Sequence, residues 1–306
     1  MRWRDAWLPL LVFAALAIAP FAGFGQGWVM TLLARAMIFG MAAISLSLLV
    51  GGAGLVSLGH AAMIGVGAYV VVVLDHARIA DAAIVVPLAV ATAALFALLT
   101  GAVALRTSGV HFIMITLAFG QMAFFTASSL ALYGGDDGYT LYNRLEVAGS
   151  RFLEGRLAFH FTCLALLAAT WLLVQLLLDS RFGRVLRAAQ QNEVRAQAVG
   201  FQPYPYRLVA YVIAGAIGGL AGVLLSQATE FVAPAYLAWQ RSGDLLFMVI
   251  LGGLAGPHGA LVGALAFVLI EEWLAHLTEH WRMIFGPLLI LCVFFLRGGL
   301  VGVLRR

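Results

Sequence analysis

Few side chains in this 306-residue sequence have the types and spacing to do chemistry. Asp136 and Asp137 are adjacent carboxylates in the Gly-rich stretch YGGDDG (133–138). Such a pair could hold a divalent cation on a diphosphate, but a metal-dependent transferase wants more acidic groups on its loops. Glu271, Glu272, His276, Glu279 and His280 have the composition of a metal centre without the spacing of a ligand set. A solvated interfacial helix accounts for them better. There is no H-E-x-x-H pair and no G-x-S-x-G elbow. All 18 basic residues are Arg, so a Walker A phosphate loop and a lysine Schiff base are both excluded. Cys163 and Cys292 lie in apolar stretches, where buried, inert thiols are expected. No catalytic residue, metal or cofactor is therefore expected in this chain.

What remains is a set of polar residues stranded among apolar ones, and these are the candidates for a translocation pathway. They are Ser47, Ser57, His60, His111, Thr116 and Gln121. A neutral His60 can hydrogen-bond a substrate or tie one helix to the next, and the structural reading is favoured. Thr116 and Gln121 are five residues apart and do not share a helical face. Arg35 falls in the outer part of an apolar stretch, from which its long side chain can snorkel outward.

The elements that must position these residues are membrane spans. The chain is 63% hydrophobic and 10% charged, with a mean hydropathy of +1.00, whereas soluble domains carry about 25% charged residues. This composition predicts an all-α polytopic membrane protein, a single transmembrane domain over residues 1–306. Nine apolar segments stand out, at 7–24, 28–49, 55–74, 82–105, 109–132, 158–178, 207–228, 245–272 and 283–300. MRWR and the apolar run after it read as a retained first helix. Eight segments read as spanning helices. The segment 245–272 is broken by Gly252, Gly253, Gly256, Pro257 and Gly259, and is expected to form a re-entrant hairpin with a short leg near 245–255 and a turn at Ala255–Gly259. A kinked structural helix is the plainer alternative.

Arg2 and Arg4 place the N-terminus inside, and Arg297, Arg305 and Arg306 place the C-terminus there too. Counting crossings puts the loop 179–206 inside and the loop 133–157 outside. The outside loop carries Arg144, Arg151 and Arg156, a mild conflict with that assignment. Gly215/Gly219, Gly218/Gly222 and Gly259/Gly263 are small-residue pairs that let helices approach closely. Residues 51–70 and 252–269 each combine a Gly-rich opening, one His and a small-residue helix, a weak internal echo.

The longest polar run, Asp179–Arg207, organises the rest. Ser180 is positioned to cap a helix from Arg181, and Gly200 with Pro203 and Pro205 ends it. Phe182, Val185, Leu186 and Ala189 recur at i, i+3, i+4 and i+7, one helical face. Arg181, Arg184 and Arg187 crowd the first two turns, where the helix dipole disfavours cations. Either cytoplasmic placement or an acidic partner accounts for them. The net charge of +4 comes mostly from such loops and speaks for topology, not nucleic-acid binding.

Five stretches in order, LSLLVGGAGLVSLGHAAMIGVGAY (46–69), GVHFIMITLAFGQM (109–122), YGGDDG (133–138), SRFGRVLRAAQQNEVRAQAVGF (180–201) and LFMVILGGLAGPHGALVGA (246–264), resemble the LIV-type permease subunits of bacterial ABC importers for branched-chain amino acids, on the LivM-like side. The resemblance covers nearly the whole chain. It implies a multi-pass inner-membrane permease that forms a heterodimer with a second related permease. Two cytoplasmic ABC ATPase subunits, which bind ATP and Mg, and a periplasmic substrate-binding protein complete such a system, with membrane lipid around it. The resemblance makes 180–200 the ATPase-coupling segment, carried by Phe182, Gly183, Arg184, Leu186, Arg187, Glu193 and Gly200, and offers Asp136 and Asp137 as binding-protein contacts.

Ser47 stands where the family usually has Asn, His111 where an aromatic is common, and Gln197 where Glu is common. These departures leave the substrate open among branched-chain amino acids, urea, other amides and aromatic acids. Two further classes compete: a secondary transporter driven by an ion gradient, suggested by the internal echo and the broken helix, and a membrane-embedded enzyme built on Asp136, Asp137 and the late Glu/His cluster.

Overall fold

A computed structural model describes residues 7–21, 27–146, 149–150, 152–254, 256–278, 280–295 and 298–304. The sequence-based topology arguments on Arg2, Arg4, Arg151, Arg297, Arg305 and Arg306, the Glu279 member of the late cluster and the Ala255 end of the predicted turn lie outside those residues. The side chain of Cys292 is likewise not described.

The chain is all-α. Its helices are α1 (Trp7–Ile18), α2 (Gly27–Ser47), α3 (His60–His76), α4 (Ala82–Ala104), α5 (Val110–Ser129), α6 (Arg156–Asp179), α7 (Arg181–Gln191), α8 (Glu193–Ala198), α9 (Pro203–Thr229), α10 (Trp239–Gly252), α11 (Pro257–Leu277), α12 (Trp281–Phe295) and α13 (Gly299–Leu304). Strand β1 (Tyr139–Thr140) pairs antiparallel with β2 (Phe231–Val232). Among the described residues, six helices are long and apolar enough to cross a membrane, α2 being extended by the π-helical turn Leu48–Ala53. Helices α1 and α3 are apolar but shorter.

Helix α2 is the centre. Its apolar window is 89% buried, against 22% for α4 and for α5, so α2 is wrapped by protein and the other two present wide apolar faces outward. Helix α9 packs along α3, α4 and α2, and α11 packs along α2 and α10. The α3–α9 seam is as close as helices can come: a Cβ on Gly222 would collide with the backbone carbonyl of Ile64. The small-residue spacing in the sequence therefore works as expected, by removing side chains where two backbones touch.

Loops sort onto two sides. Gly54 approaches Gln190, Gly51 approaches the carbonyl of Leu254, and Gly253 approaches Gly298, so these turns share a side with α7. On the opposite side Glu146 bridges to Asp81, Asn143 Nδ2 donates to Asp75 at 3.1 Å, and Leu145 N donates to Gln227 at 3.0 Å. This sorting agrees with the crossing count. Of the arginines behind the charge conflict of the 133–157 loop, Arg144 is ion-paired with Glu230 at the end of α9.

The hairpin forms, but its short leg begins at Trp239 rather than near 245. At 14 residues α10 rises about 21 Å, short of the ~30 Å hydrocarbon thickness. Arg35 does not snorkel freely. Its guanidinium lies 3.3 Å from Glu271 on α11 and over the ring of Phe39, a pairing that satisfies both charges within the bundle.

Candidate functional site

Three regions hold the residues singled out by sequence. The first is the Arg-rich corner. One residue, Ser180, separates α6 from α7. Its Oγ donates to Leu177 O at 2.7 Å and accepts from Gly183 N at 3.5 Å, so a single hydroxyl serves both helix ends. Gly183 is required by this corner, since a Cβ there would strike the carbonyl of Leu178.

Asn192, in extended conformation, breaks the helix and caps α8 by accepting from Arg195 N at 2.9 Å. Gly200, at φ +93°, ends it. Arg207 of α9 then clamps the pair: Nη1 lies 2.9 Å from Glu193 and Nη2 donates to Ala189 O at 3.5 Å.

The apolar stripe of α7 faces its own chain. Val185, Leu186 and Ala189 are buried against α6, α9 and the turn after α2, and Phe182 stacks near Tyr206. Outward stand Arg181, Arg184 and Arg187, then Gln190 and Gln191, and on and just after α8 Glu193, Val194, Arg195, Gln197 and Val199. Gly183 and Leu186 therefore hold the corner in place, while the arginines stand on its exposed surface.

The second region is a packed polar node where α3 starts. Residues 54–59 leave helical conformation, and the freed donors are met by side chains. Leu58 N donates to Thr116 Oγ1 at 3.3 Å, Gly59 N to Ser57 Oγ at 3.3 Å, and Ala61 N to Ser242 Oγ at 2.9 Å. His60 is fully buried, with Nε2 2.8 Å from Ser45 Oγ. Ser45 Oγ also lies 2.7 Å from Ala42 O. His60 thus ties α3 to α2. Ser47 is buried too and donates to Ile44 O at 2.7 Å. Ser57, His60 and Thr116 brace the break in this conformation, Ser47 bonds only within α2, and His111 stands exposed at the first turn of α5.

The third region is a cleft of about 540 Å³ on the side opposite the arginine corner. Gln121 and Phe124 of α5 form one wall, Asp136 the lip, and the 233–244 segment the other wall, with Arg241 and Asp244 among its residues. Of the six pathway candidates only Gln121 opens into it. Sequence reading missed Arg241, Ser242 and Asp244, placing them in a loop; the R-x-x-D spacing just before an apolar run was the available signal. Asp136 and Asp137 are exposed. In the neighbouring loop the Tyr139 phenol is held above its ordinary pKa by loss of water contact and then by the Asp75 carboxylate beside it. Among the described residues no group of three or more His, Cys, Asp or Glu could hold a metal ion.

A bundle with a protein-wrapped centre, a half-length broken helix and a polar cleft beside it is the architecture of a multi-pass membrane permease. The comparisons specify which kind. The family profile described as branched-chain amino acid transport system / permease component matches residues 28–294, and the chain belongs to that family. It is similar to the high-affinity branched-chain amino acid transport system permease protein LivM of Escherichia coli K12, 25% identical over 292 residues, covering 88% of this chain and 69% of the relative. It also resembles the probable LivM of Methanocaldococcus jannaschii, 30% identical over 146 residues (43% of this chain, 42% of the relative). The LivH permease of Escherichia coli K12 is 30% identical over 125 residues, 40% of each chain. No solved structure matches.

Proposed function

We propose that this chain is the permease subunit of an ATP-driven importer of branched-chain amino acids, a single transmembrane domain in a bacterial inner membrane. The observation that carries the reading is the arginine corner. It is a short helix pair, capped at both ends, packed by its apolar face onto three neighbours and clamped to α9 by Arg207, with four arginines, Arg181, Arg184, Arg187 and Arg195, on an outward face otherwise made mostly of amide and small side chains. Such a unit moves with the bundle, which suits the transmission of a partner's rigid-body motion. The Arg-rich side is cytoplasmic, together with both termini, and two ATPase subunits holding ATP and Mg dock there. Arg184 and Arg187 contact them directly, Glu193 and Gly200 set the angle of α8, and Phe182, Gly183 and Leu186 anchor the corner. A second, related permease completes the translocation path, in line with the likeness to both LivM and LivH proteins. Asp136 and Asp137 face the periplasm and meet a substrate-binding protein.

The test is gentle extraction of the tagged chain from its native membrane, with mass spectrometry of what accompanies it. A P-loop ATPase and a second permease are expected. Arg184→Glu should then abolish uptake while leaving the chain inserted. A solitary chain that transports normally, with uptake sensitive to uncouplers and indifferent to ATPase loss, would overturn the reading.

A further inference from the structure

We propose that the cleft between α5 and the 233–244 segment binds the zwitterionic end of an α-amino acid, Arg241 taking the carboxylate and Asp244 the ammonium. The inference rests on the importer reading above and names a place in this chain where the cargo is held.

Depth is the first argument. Ser242 meets Ala61 at the start of α3, and a Cβ on Gly65 would collide with Leu237. Helix α3 rises from there to His76, so Ser242 lies about 22 Å below the outer end of that helix. Arg241 and Asp244 flank Ser242, on a helix too short to span. Ionisable groups at such depth are costly and mark a pathway when they line a cavity.

Chemistry is the second. Arg241 Nη1 and Asp244 Oδ2 are 3.7 Å apart, close enough to neutralise each other and too far to share a hydrogen bond. Both side chains are about one-third exposed, and both line the cleft. A guanidinium fork matches a carboxylate bidentately, and a carboxylate accepts from an ammonium. A zwitterion inserted here substitutes for the loose pair without leaving net charge in the bilayer. Phe124, Pro234 and Trp239 supply an apolar part of the lining that suits an aliphatic side chain, while Gln240 and, at the lip, Asp136 are polar. Gln121 adds an amide to the polar wall. The cleft's volume falls within the range of small-molecule sites.

The experiment uses the assembled transporter in proteoliposomes, with labelled leucine and the variants Arg241→Gln, Asp244→Asn and the two together. Each single variant should lower uptake about ten- to a hundredfold, the loss of one charged hydrogen bond, while stimulated ATP hydrolysis continues. The double variant should not recover. A double variant that regains uptake would show that the pair only neutralises itself, and single variants that transport normally would equally overturn the site.

A second readout needs no ATP. Ala235→Cys is placed in a chain whose two native cysteines are replaced by Ala, and its alkylation by an impermeant maleimide is timed. Leucine should slow the reaction, and 3-methylbutylamine and 4-methylpentanoate, each lacking one charge, should not. Arg241→Gln should abolish the protection. Equal slowing by all three compounds, or none by leucine, refutes the site. If uptake proves independent of ATP, the importer reading fails, and the alkylation result still decides the cleft.

Discussion

Replacing Leu186 by Ala tests whether the apolar stripe of the arginine corner is an internal anchor or a docking face for a partner. Leu186 is 0% exposed, the largest fully buried side chain of α7 and the central one of its stripe. Val185 and Ala189, the other buried members, are smaller and retain 8% and 3% exposure. Truncating a buried Leu costs about 2–5 kcal/mol, from lost transfer energy and the cavity left behind. The corner lies at the surface and relaxes more easily than a bundle core, so the lower part of that range, about 2–3 kcal/mol, applies. That cost falls on local opening of α7, because its other restraints are the Ser180 cap, Arg207, the half-buried Phe182 against Tyr206 and two small apolar contacts. At about 1.4 kcal/mol per decade, opening becomes about 30- to 150-fold more frequent. Hydrogen exchange of the α7 amides in the detergent-solubilised chain reads this directly, with no partner present. Arg187→Ala, on the exposed rim, should change exchange by less than about threefold. If Leu186→Ala leaves exchange unchanged, or Arg187→Ala accelerates it equally, the stripe is not the anchor and the reasoning fails.

Arg35→Met should lower the thermal midpoint in detergent through loss of about 1–3 kcal/mol, because Glu271 keeps a half-buried charge without its partner; the double variant with Glu271→Met should recover most of it. Gly222→Leu should prevent a stable monodisperse bundle in size-exclusion chromatography, since a Cβ alone already collides with Ile64 O, whereas Gly243→Ala, with open space at that position, should behave as the unaltered chain. Tyr139 titrates above its ordinary value of 10.0, so the stability it adds is complete below pH 10 and is lost as the pH rises through the higher folded-state value. Tyr139→Phe should therefore remove an alkaline limb from the pH profile of unfolding and lower stability in the neutral range by about 0.5–1.5 kcal/mol, the phenol's hydrogen bond to Asp75 being lost with it.

The arginine corner was legible because polarity and period both stand out against an apolar chain. Ser180 and Gly200 read correctly as its ends, since a capping hydroxyl and a positive-φ glycine are local requirements. The target of its apolar stripe was not legible. A stripe states that something covers it, and the chain's own α6, α9 and the turn after α2 do so. The hairpin was visible in its glycines, yet its short leg was begun at Leu245, because apolar periodicity discards W-Q-R-S-G-D. Those residues are helical for a tertiary reason, the bond from Ala61 N to Ser242 across 181 positions. Arg35 went astray in the same way: its partner Glu271 lies 236 residues along the chain. His60 meets Ser45 on another helix, a contact of the kind its plainer reading expects, but nothing near it in sequence points to that partner.

Helix α9 joins the two ends of the molecule. Its 27 residues rise about 40 Å. At one end Arg207 holds the arginine corner through Glu193. At the other, Gln227 and Glu230 hold the 133–157 loop, and the chain passes directly through β2 into the wall that carries Arg241 and Asp244. Between them the backbone of α9 is pressed against that of α3 at Gly222. A seam of touching backbones leaves no side chains to slide or repack, so α9 and α3 respond to force as one body. A tilt of about 5° about the middle of α9 displaces each end by about 1.7 Å in opposite directions, the size of shift by which packed helices switch between states. On the proposed importer reading, movement at the corner is therefore expected to shift the wall of the cleft on the far side.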